Sequence, residues 1–191
     1  MTDLLSPFTT MLDLDSGSLT PTRGAVARRT LAELRGLYAA GGDVTDEPDR
    51  LVYQVFPVEV PATNSNISCS TTRLEPGDVG GEYFMTKGHF HHVRDRGEFY
   101  LGIAGEGRLL LATVDGRWTV EPIRRGTMNY IPGGWAHRSV NTGAEPLVFL
   151  ATYIGDAGYD YATIAERGFP VLVVAGDRGP EVIPNPRYRR G

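Results

Sequence analysis

The apolar positions change period once along this chain. From Thr22 to Ala40, Val26, Leu31, Leu34, Leu37 and Tyr38 recur at mostly three- and four-residue intervals with Arg28, Arg29, Glu33 and Arg35 between them. That spacing predicts an amphipathic helix ended by Gly41-Gly42. Beyond it, short runs rich in Val, Ile, Leu, Tyr and Phe stand between Gly, Pro and Asn, near 51–58, 66–74, 79–86, 97–104, 107–114, 117–121, 127–131, 136–142, 147–154 and 171–175. Asp115-Gly116, between two of them, is the strongest hairpin signal. So many short strands in one domain predict an all-β closed barrel or two-sheet jelly roll. Asp160 to Gly168 reads as one short late helix, begun by Asp160 and stopped by Gly168.

A length of 191 residues fits a single domain over 1–191. Within it, 1–50 form an N-terminal extension carrying the helix, 51–176 a β-barrel core and 177–191 a C-terminal tail. The tail, Asn185-Pro186-Arg187-Tyr188-Arg189-Arg190, is polar and basic and is expected to be loosely held.

The composition narrows the class of function. A net charge of −4 gives no electrostatic reason to expect nucleic acid or an acidic membrane surface. No apolar run approaches the roughly 18 residues of a membrane span, and the first residues lack the basic start of a secretory signal. The single cysteine, Cys69, has no partner for an internal disulfide, so a cytoplasmic location is expected. Within Ile67-Ser68-Cys69-Ser70 it reads as a small buried core residue.

Three of the four histidines carry the chemistry. His89 and His91 are one residue apart, so in an extended strand both imidazoles project from one face, as two ligands of one metal ion require. Glu98 follows seven residues later, and His137 lies in Gly-Thr-Met-Asn-Tyr-Ile-Pro-Gly-Gly-Trp-Ala-His. Three imidazoles and a carboxylate suit iron(II), manganese, nickel, cobalt or zinc and leave positions open for water or substrate. Without cysteine ligands the site reads as catalytic. His92 has the opposite parity and is expected not to be a ligand; Phe90, Phe99 and Leu101 are expected in the core. Glu98 and Tyr100 share a face, so the Tyr100 hydroxyl either reaches what the glutamate touches or packs the interior.

Gly126, Pro132, Gly134, His137 and Asn141 follow the spacing G-x5-P-x-G-x2-H-x3-N, which resembles the second motif of the cupins. His89, His91, Glu98 and Gly105 resemble the first, with six residues before the glutamate instead of the usual three or four. The run Gly81-Glu82-Tyr83-Phe84-Met85-Thr86-Lys87-Gly88-His89-Phe90-His91, with Trp135 to Asn141 and Asp156 to Phe169, is similar to the cupin-type glucose-6-phosphate isomerases of archaea and some bacteria. The similarity runs from Pro7-Phe8 to Asn185-Pro186-Arg187.

That resemblance implies a cupin jelly roll, a homodimer and one divalent metal ion per chain, most often iron(II), held by His89, His91, Glu98 and His137. It implies a small phosphorylated sugar as substrate, with Tyr53, Thr72, Thr86 and the Gly88 backbone around the phosphate and Tyr100, Tyr153 and Tyr161 nearer the sugar. Hydroxyls and a glycine amide can saturate phosphate oxygens, because a residue without Cβ lets the ligand approach the backbone. Thr86 and His89 differ in strand parity, so they share a pocket only if the chain turns between them, as Gly88 allows. Lys87 reads as solvated. Where archaeal members commonly carry histidine between Gly and Asp, this chain has Tyr159.

The expected activity is interconversion of glucose 6-phosphate and fructose 6-phosphate through an enediol, with Glu98 as catalytic proton carrier. A related sugar-phosphate isomerase or epimerase and an iron-dependent cupin dioxygenase stand as rival readings.

Overall fold

The computed structural model describes residues 5–41 and 47–190. Fifteen strands, β1 Met11–Leu12, β2 Leu19–Thr20, β3 Ala27–Thr30, β4 Leu51–Val58, β5 Ile67–Leu74, β6 Asp78–Val79, β7 Glu82–Tyr83, β8 Glu98–Ala104, β9 Glu106–Thr113, β10 Trp118–Arg124, β11 Met128–Ile131, β12 Trp135–Asn141, β13 Leu147–Ile154, β14 Val171–Gly176 and β15 Gly179–Pro184, form antiparallel sheets among the described residues. The largest sheet runs β11-β8-β13-β5-β4-β3, and β10-β9-β12 is laid against it as the second wall of a jelly roll. The stretch 85–90 continues that second wall, through bridges of Met85 to Val140 and His89 to His137.

Register places the inner face of the large sheet. Val55, Thr72 and Phe149 pair across β4, β5 and β13; Ser70, Ala151 and Tyr100 form the next row across β5, β13 and β8; Ser68, Tyr153 and Glu98 form the third. Strand alternation then puts polar and aromatic groups in one concavity. Phe149, 1% exposed, stacks on Tyr100 with ring centroids 4.6 Å apart and 25° between planes, which supports the floor. Full burial of a side chain of this size stabilises the fold by about 1.5–3 kcal/mol.

The N-terminal helix is far shorter than the periodicity predicts. Ala27–Thr30 pairs with β4, and only α1, Leu31–Leu34, followed by a 3-10 turn at Arg35–Leu37, is helical. Thr30 and Glu33 form a capping box in which the Thr30 N–H donates to Glu33 Oε2 at 2.8 Å. Thr22, Val26 and Thr30 are β-branched and Gly24 and Gly36 are flexible, so helix propensity loses to the open edge of β4. The apolar spacing survives as the burial of Leu31, Leu34 and Tyr38. Gly42, the second half of the expected helix stop, lies outside the described residues.

Four further expectations change. The run near 79–86 is two short strands, β6 and β7, around a turn at Gly80-Gly81, where both φ angles are positive (58° and 87°). The tail is tied down: β15 pairs with β14, and the Arg187 guanidinium donates to the carbonyls of Tyr38 (2.6 Å) and Gly36 (3.3 Å). Phe90 is buried as expected, but Phe99 and Leu101 lie on the outer face of β8, 47% and 39% exposed, because the inner face carries Glu98 and Tyr100. Cys69 is only partly buried, on the side of β5 opposite Ser68 and Ser70. The late helix α2 spans Ala162–Arg167; Asp160 Oδ1 accepts the Thr163 N–H at 3.2 Å, and Gly168 ends it.

Candidate metal centre and its pocket

His89 and His137 exchange backbone hydrogen bonds, His89 N–H to the His137 carbonyl at 3.2 Å and His137 N–H to the His89 carbonyl at 3.0 Å. This bridge sets their rings edge to face with centroids 4.3 Å apart. His91 projects from the same face two residues on, and Glu98 reaches in from β8 on the opposite sheet. One ligand atom from each of the four residues lies within 4.8 Å of all the others. The constellation is therefore assembled across the jelly roll, and His92, exposed, points away from it.

Hydrogen bonding and charge argue for a cation at the centre. Donation from His91 Nδ1 to the Arg96 carbonyl at 2.8 Å leaves Nε2 as a lone pair, and Nε2 faces Glu98 Oε2 at 3.1 Å. A lone pair against a carboxylate oxygen repels unless a proton or a metal ion lies between them. His89 Nε2 is buried without a hydrogen-bond partner, and His137 Nε2 lies 3.0 Å from Glu98 Oε2 but is not aligned for a hydrogen bond, so that contact is electrostatic. Burial and the neighbouring His137 hold His89 well below the usual imidazole value. Burial pulls His91 down, but the Glu98 carboxylate outweighs it and raises it. Burial pushes Glu98 up, yet the imidazoles of His137 and His91 hold it down to about 2. An ionised carboxylate, a neutral imidazole and orphaned buried nitrogens are a donor set that fits one divalent ion.

A cavity of about 300 Å³ opens over these groups. Of the residues expected around the substrate, Tyr53, Thr72, Thr86, Gly88, Tyr100, Tyr153 and Tyr161 all line it, together with His89, Glu98 and His137; His91 sits behind them. Gly88, at φ +73°, turns the chain so that Thr86 and His89 share the cavity, and a Cβ there would lie 2.7 Å from the Phe169 ring. Burial pushes the Tyr53 hydroxyl up to about 12 and Tyr100 well above its ordinary value, so both are held as donors.

Four polar lining residues lie outside the expected set. Arg29 enters because β3 pairs it with Tyr53, which a helical reading of that stretch hides. Ser70 was legible as the partner of Thr72 two residues on along one strand face. Lys87 lines the cavity instead of being merely solvated, with Nζ 5.0 Å from the Tyr161 ring centroid. Tyr159 stacks on Tyr161 at 5.6 Å, meets the His89 ring at 4.8 Å and lies with its hydroxyl 3.2 Å from that of Tyr153.

Comparison with known proteins agrees with this geometry. The family described as Glucose-6-phosphate isomerase (GPI) matches residues 28–184. The chain is 40% identical over 186 residues to a glucose-6-phosphate isomerase of Pyrococcus horikoshii, covering 96% of this chain and 97% of that one. It is 42% identical to one of Thermococcus kodakarensis (93% and 94% covered) and 38% identical to one of Sinorhizobium medicae (100% and 91% covered). Among solved structures, a deletion mutant of Bacillus subtilis oxalate decarboxylase aligns with 56% of this chain and 27% of that one, at 27% identity and a TM-score of 0.44. With a family match across most of its length and relatives that share it end to end, the chain belongs to the cupin-type glucose-6-phosphate isomerase family.

Proposed function

We propose that this chain interconverts glucose 6-phosphate and fructose 6-phosphate, with one divalent ion held by His89, His91, Glu98 and His137 and with Glu98 as the proton carrier. The observation that carries the reading is one cavity with the convergent nitrogen and carboxylate donors on one side and the hydroxyls of Tyr53, Thr72 and Thr86 on the other. Family membership supports the substrate class. The donor set suits iron(II), manganese, nickel, cobalt and zinc alike, and the family resemblance is what favours iron(II) among them.

The phosphate is bound by the Tyr53, Thr72 and Thr86 hydroxyls and the Gly88 amide, with Arg29 and Lys87 supplying positive charge from the same lining. Tyr100, Tyr153 and Tyr161 orient the sugar. When bound, the ion supplies polarisation of the C1 and C2 oxygens. Both imidazole contacts to Glu98 fall on Oε2, which leaves Oε1 to take the proton from C2 of glucose 6-phosphate. The C2–H electron pair becomes the C1=C2 bond of an enediol as the C1 oxygen takes a proton from water; return of the Glu98 proton to C1, with the C2 hydroxyl giving its proton back to water, yields fructose 6-phosphate. A carboxylate held by a divalent ion is a poor base, so Glu98 would have to loosen from the ion as substrate enters.

Tyr159 in the lining favours one second reading, a neighbouring sugar phosphate as substrate. The Thr72 and Thr86 hydroxyls and the Gly88 backbone, placed to take a phosphate, weigh against an iron-dependent dioxygenase, which oxygen consumption would expose. The apolar outer row of Phe99, Leu101, Met128 and Tyr130, all exposed, supports a homodimer. No helix among the described residues is long and apolar enough to cross a membrane, and the lone Cys69 supports a cytoplasmic location. A coupled assay across a panel of sugar phosphates, with metal content measured on the same sample, tests the proposal. No turnover of fructose 6-phosphate by protein carrying one equivalent of iron or manganese would sink it.

A further inference from the structure

A second cavity, of about 430 Å³, lies behind β12, on the side away from the metal centre. His137 and Arg138 are adjacent on that strand, so their side chains leave opposite faces: His137 enters the sugar-phosphate cavity and Arg138 lines the second one. Three guanidinium-bearing residues, Arg138, Arg187 and Arg189, line it against a single carboxylate residue, the exposed Glu166.

Arg138 is the unusual member. It is 2% exposed, yet no carboxylate oxygen among the described residues lies within 4.0 Å of its guanidinium, nor of Arg187 or Arg189. Its Nη2 donates to the Lys87 carbonyl at 2.8 Å, its guanidinium lies 4.6 Å from the Phe169 ring centroid, and its buried Nε has no acceptor. The nearby buried Glu82 accepts the Ala39 N–H at 2.8 Å and does not come within ion-pair distance. Arg187, exposed, spends donors on the Tyr38 and Gly36 carbonyls, and the Glu82 carboxylate acts on both Arg138 and Arg187 only from beyond ion-pair distance. A buried cation without a paired anion is costly, and an oxyanion supplied from solvent removes that cost.

We propose that the cavity behind β12 is a second anion-binding site that takes a small phosphate-bearing ligand between Arg138 and the arginines of the C-terminal segment. The cavity is larger than one oxyanion requires and within the size range of small-molecule sites, so a phosphate monoester fits it as well as free phosphate does. This site is separate from the active pocket, and neither Arg138 nor Arg189 lines that pocket.

The test is equilibrium dialysis of labelled inorganic phosphate against metal-loaded enzyme whose active pocket is saturated with a phosphorylated sugar acid. Wild type is expected to retain one phosphate per chain, and Arg189→Glu, a change at an exposed side chain, to weaken that binding by roughly tenfold or more while basal turnover stays the same. Arg138→Gln, checked for folding by circular dichroism, is expected to abolish it; should that variant not fold, Arg189→Glu decides alone. Displacement by glycerol 3-phosphate more effectively than by inorganic phosphate would identify a metabolite as the ligand, and equal displacement would identify free phosphate. Absence of phosphate binding beyond the blocked pocket, or unchanged binding in Arg189→Glu, overturns the proposal. Failure of the sugar acid to occupy the active pocket would count against the isomerase reading, and the difference between wild type and Arg189→Glu would still decide the second site.

Discussion

His91 Nε2 and Glu98 Oε2 face each other across 3.1 Å, each side chain only 5% exposed, while His91 Nδ1 is committed to the Arg96 carbonyl. That pair is comfortable only with a proton or a metal ion between them, and the unpartnered His89 Nε2 points to the metal. About one divalent ion per chain is therefore expected, and a strong chelator should abolish activity that iron(II) or manganese restores. Elemental analysis and assay on one sample check this. Full turnover by protein shown to be metal-free would remove the metal from the mechanism.

Arg96 holds that carbonyl in place through a two-pronged ion pair, Nε to Asp156 Oδ1 at 2.7 Å and Nη2 to Oδ2 at 2.9 Å. His137→Ala should mainly lower metal occupancy. Asp156→Ala should lower metal affinity more mildly, in the range of roughly tenfold to a hundredfold typical of lost outer partners. Competition with a metal-binding dye measures both, and an Asp156→Ala affinity equal to wild type would reduce the pair to a surface contact.

Much of this centre could be read from residue order because strand parity and ligand spacing depend on local geometry alone. His89 and His91 share a face in any extended chain, and β4 and β13 coincide with the runs 51–58 and 147–154 because their ends are marked by turn residues. What was hidden depended on partners. Parity says that Phe99 and Glu98 face opposite ways, not which way is inward; packing against β12 and the 85–90 segment decides that. Arg29 was hidden because an apolar period near 3.6 also arises from a short strand followed by one helical turn, and only the edge of β4 distinguishes the two. Lys87 reaches the pocket through the left-handed turn at Gly88, a non-local requirement set by Phe169 and Arg138.

The phosphate wall can be separated from the chemistry. Thr72 is the cleaner probe, because Thr86 Oγ1 also accepts the Ser139 N–H at 3.0 Å and its loss would orphan a buried amide. Thr72→Val keeps the shape and deletes a hydroxyl, so KM for fructose 6-phosphate should rise by roughly tenfold while kcat changes less. Steady-state kinetics check the split. Equal turnover of free fructose by wild type would show that the wall does not read phosphate.

Asp160 links the late helix to the pocket rim. Its Oδ1 accepts the Thr163 N–H, its Oδ2 accepts the Thr163 hydroxyl at 2.7 Å, and Arg94 pairs with it, so Asp160→Ala should cost about 1 kcal/mol, roughly 2–4 °C in Tm. The Thr163 hydroxyl first, then the Thr163 amide and Arg94, hold this carboxyl below its ordinary value of 3.8. A depressed carboxyl contributes stability above the unfolded value and loses it as pH falls through the folded one. The Tm difference between Asp160→Ala and wild type should thus be full at pH 7 and shrink below about pH 3.8. A difference that stays constant to pH 3 would assign the effect to packing.

Glu98 is expected to carry two roles, and the hydrogen itself can report which one matters. Glu98→Gln keeps an oxygen where Oε2 meets the imidazoles but removes the basic carboxylate, so kcat should fall by roughly a hundredfold or more with much of the metal retained. If the proton travels on Glu98, it rests on a group that can exchange with water, and isomerisation in deuterated water should place deuterium at C2 of glucose 6-phosphate or C1 of fructose 6-phosphate. The Glu98 side chain is 5% exposed, so exchange competes with rapid return and incorporation should be partial rather than complete. A direct hydride transfer between carbons would leave no label. Label-free product after many turnovers, with near wild-type kcat in Glu98→Gln, would reduce Glu98 to a ligand and move the reaction to a hydride shift.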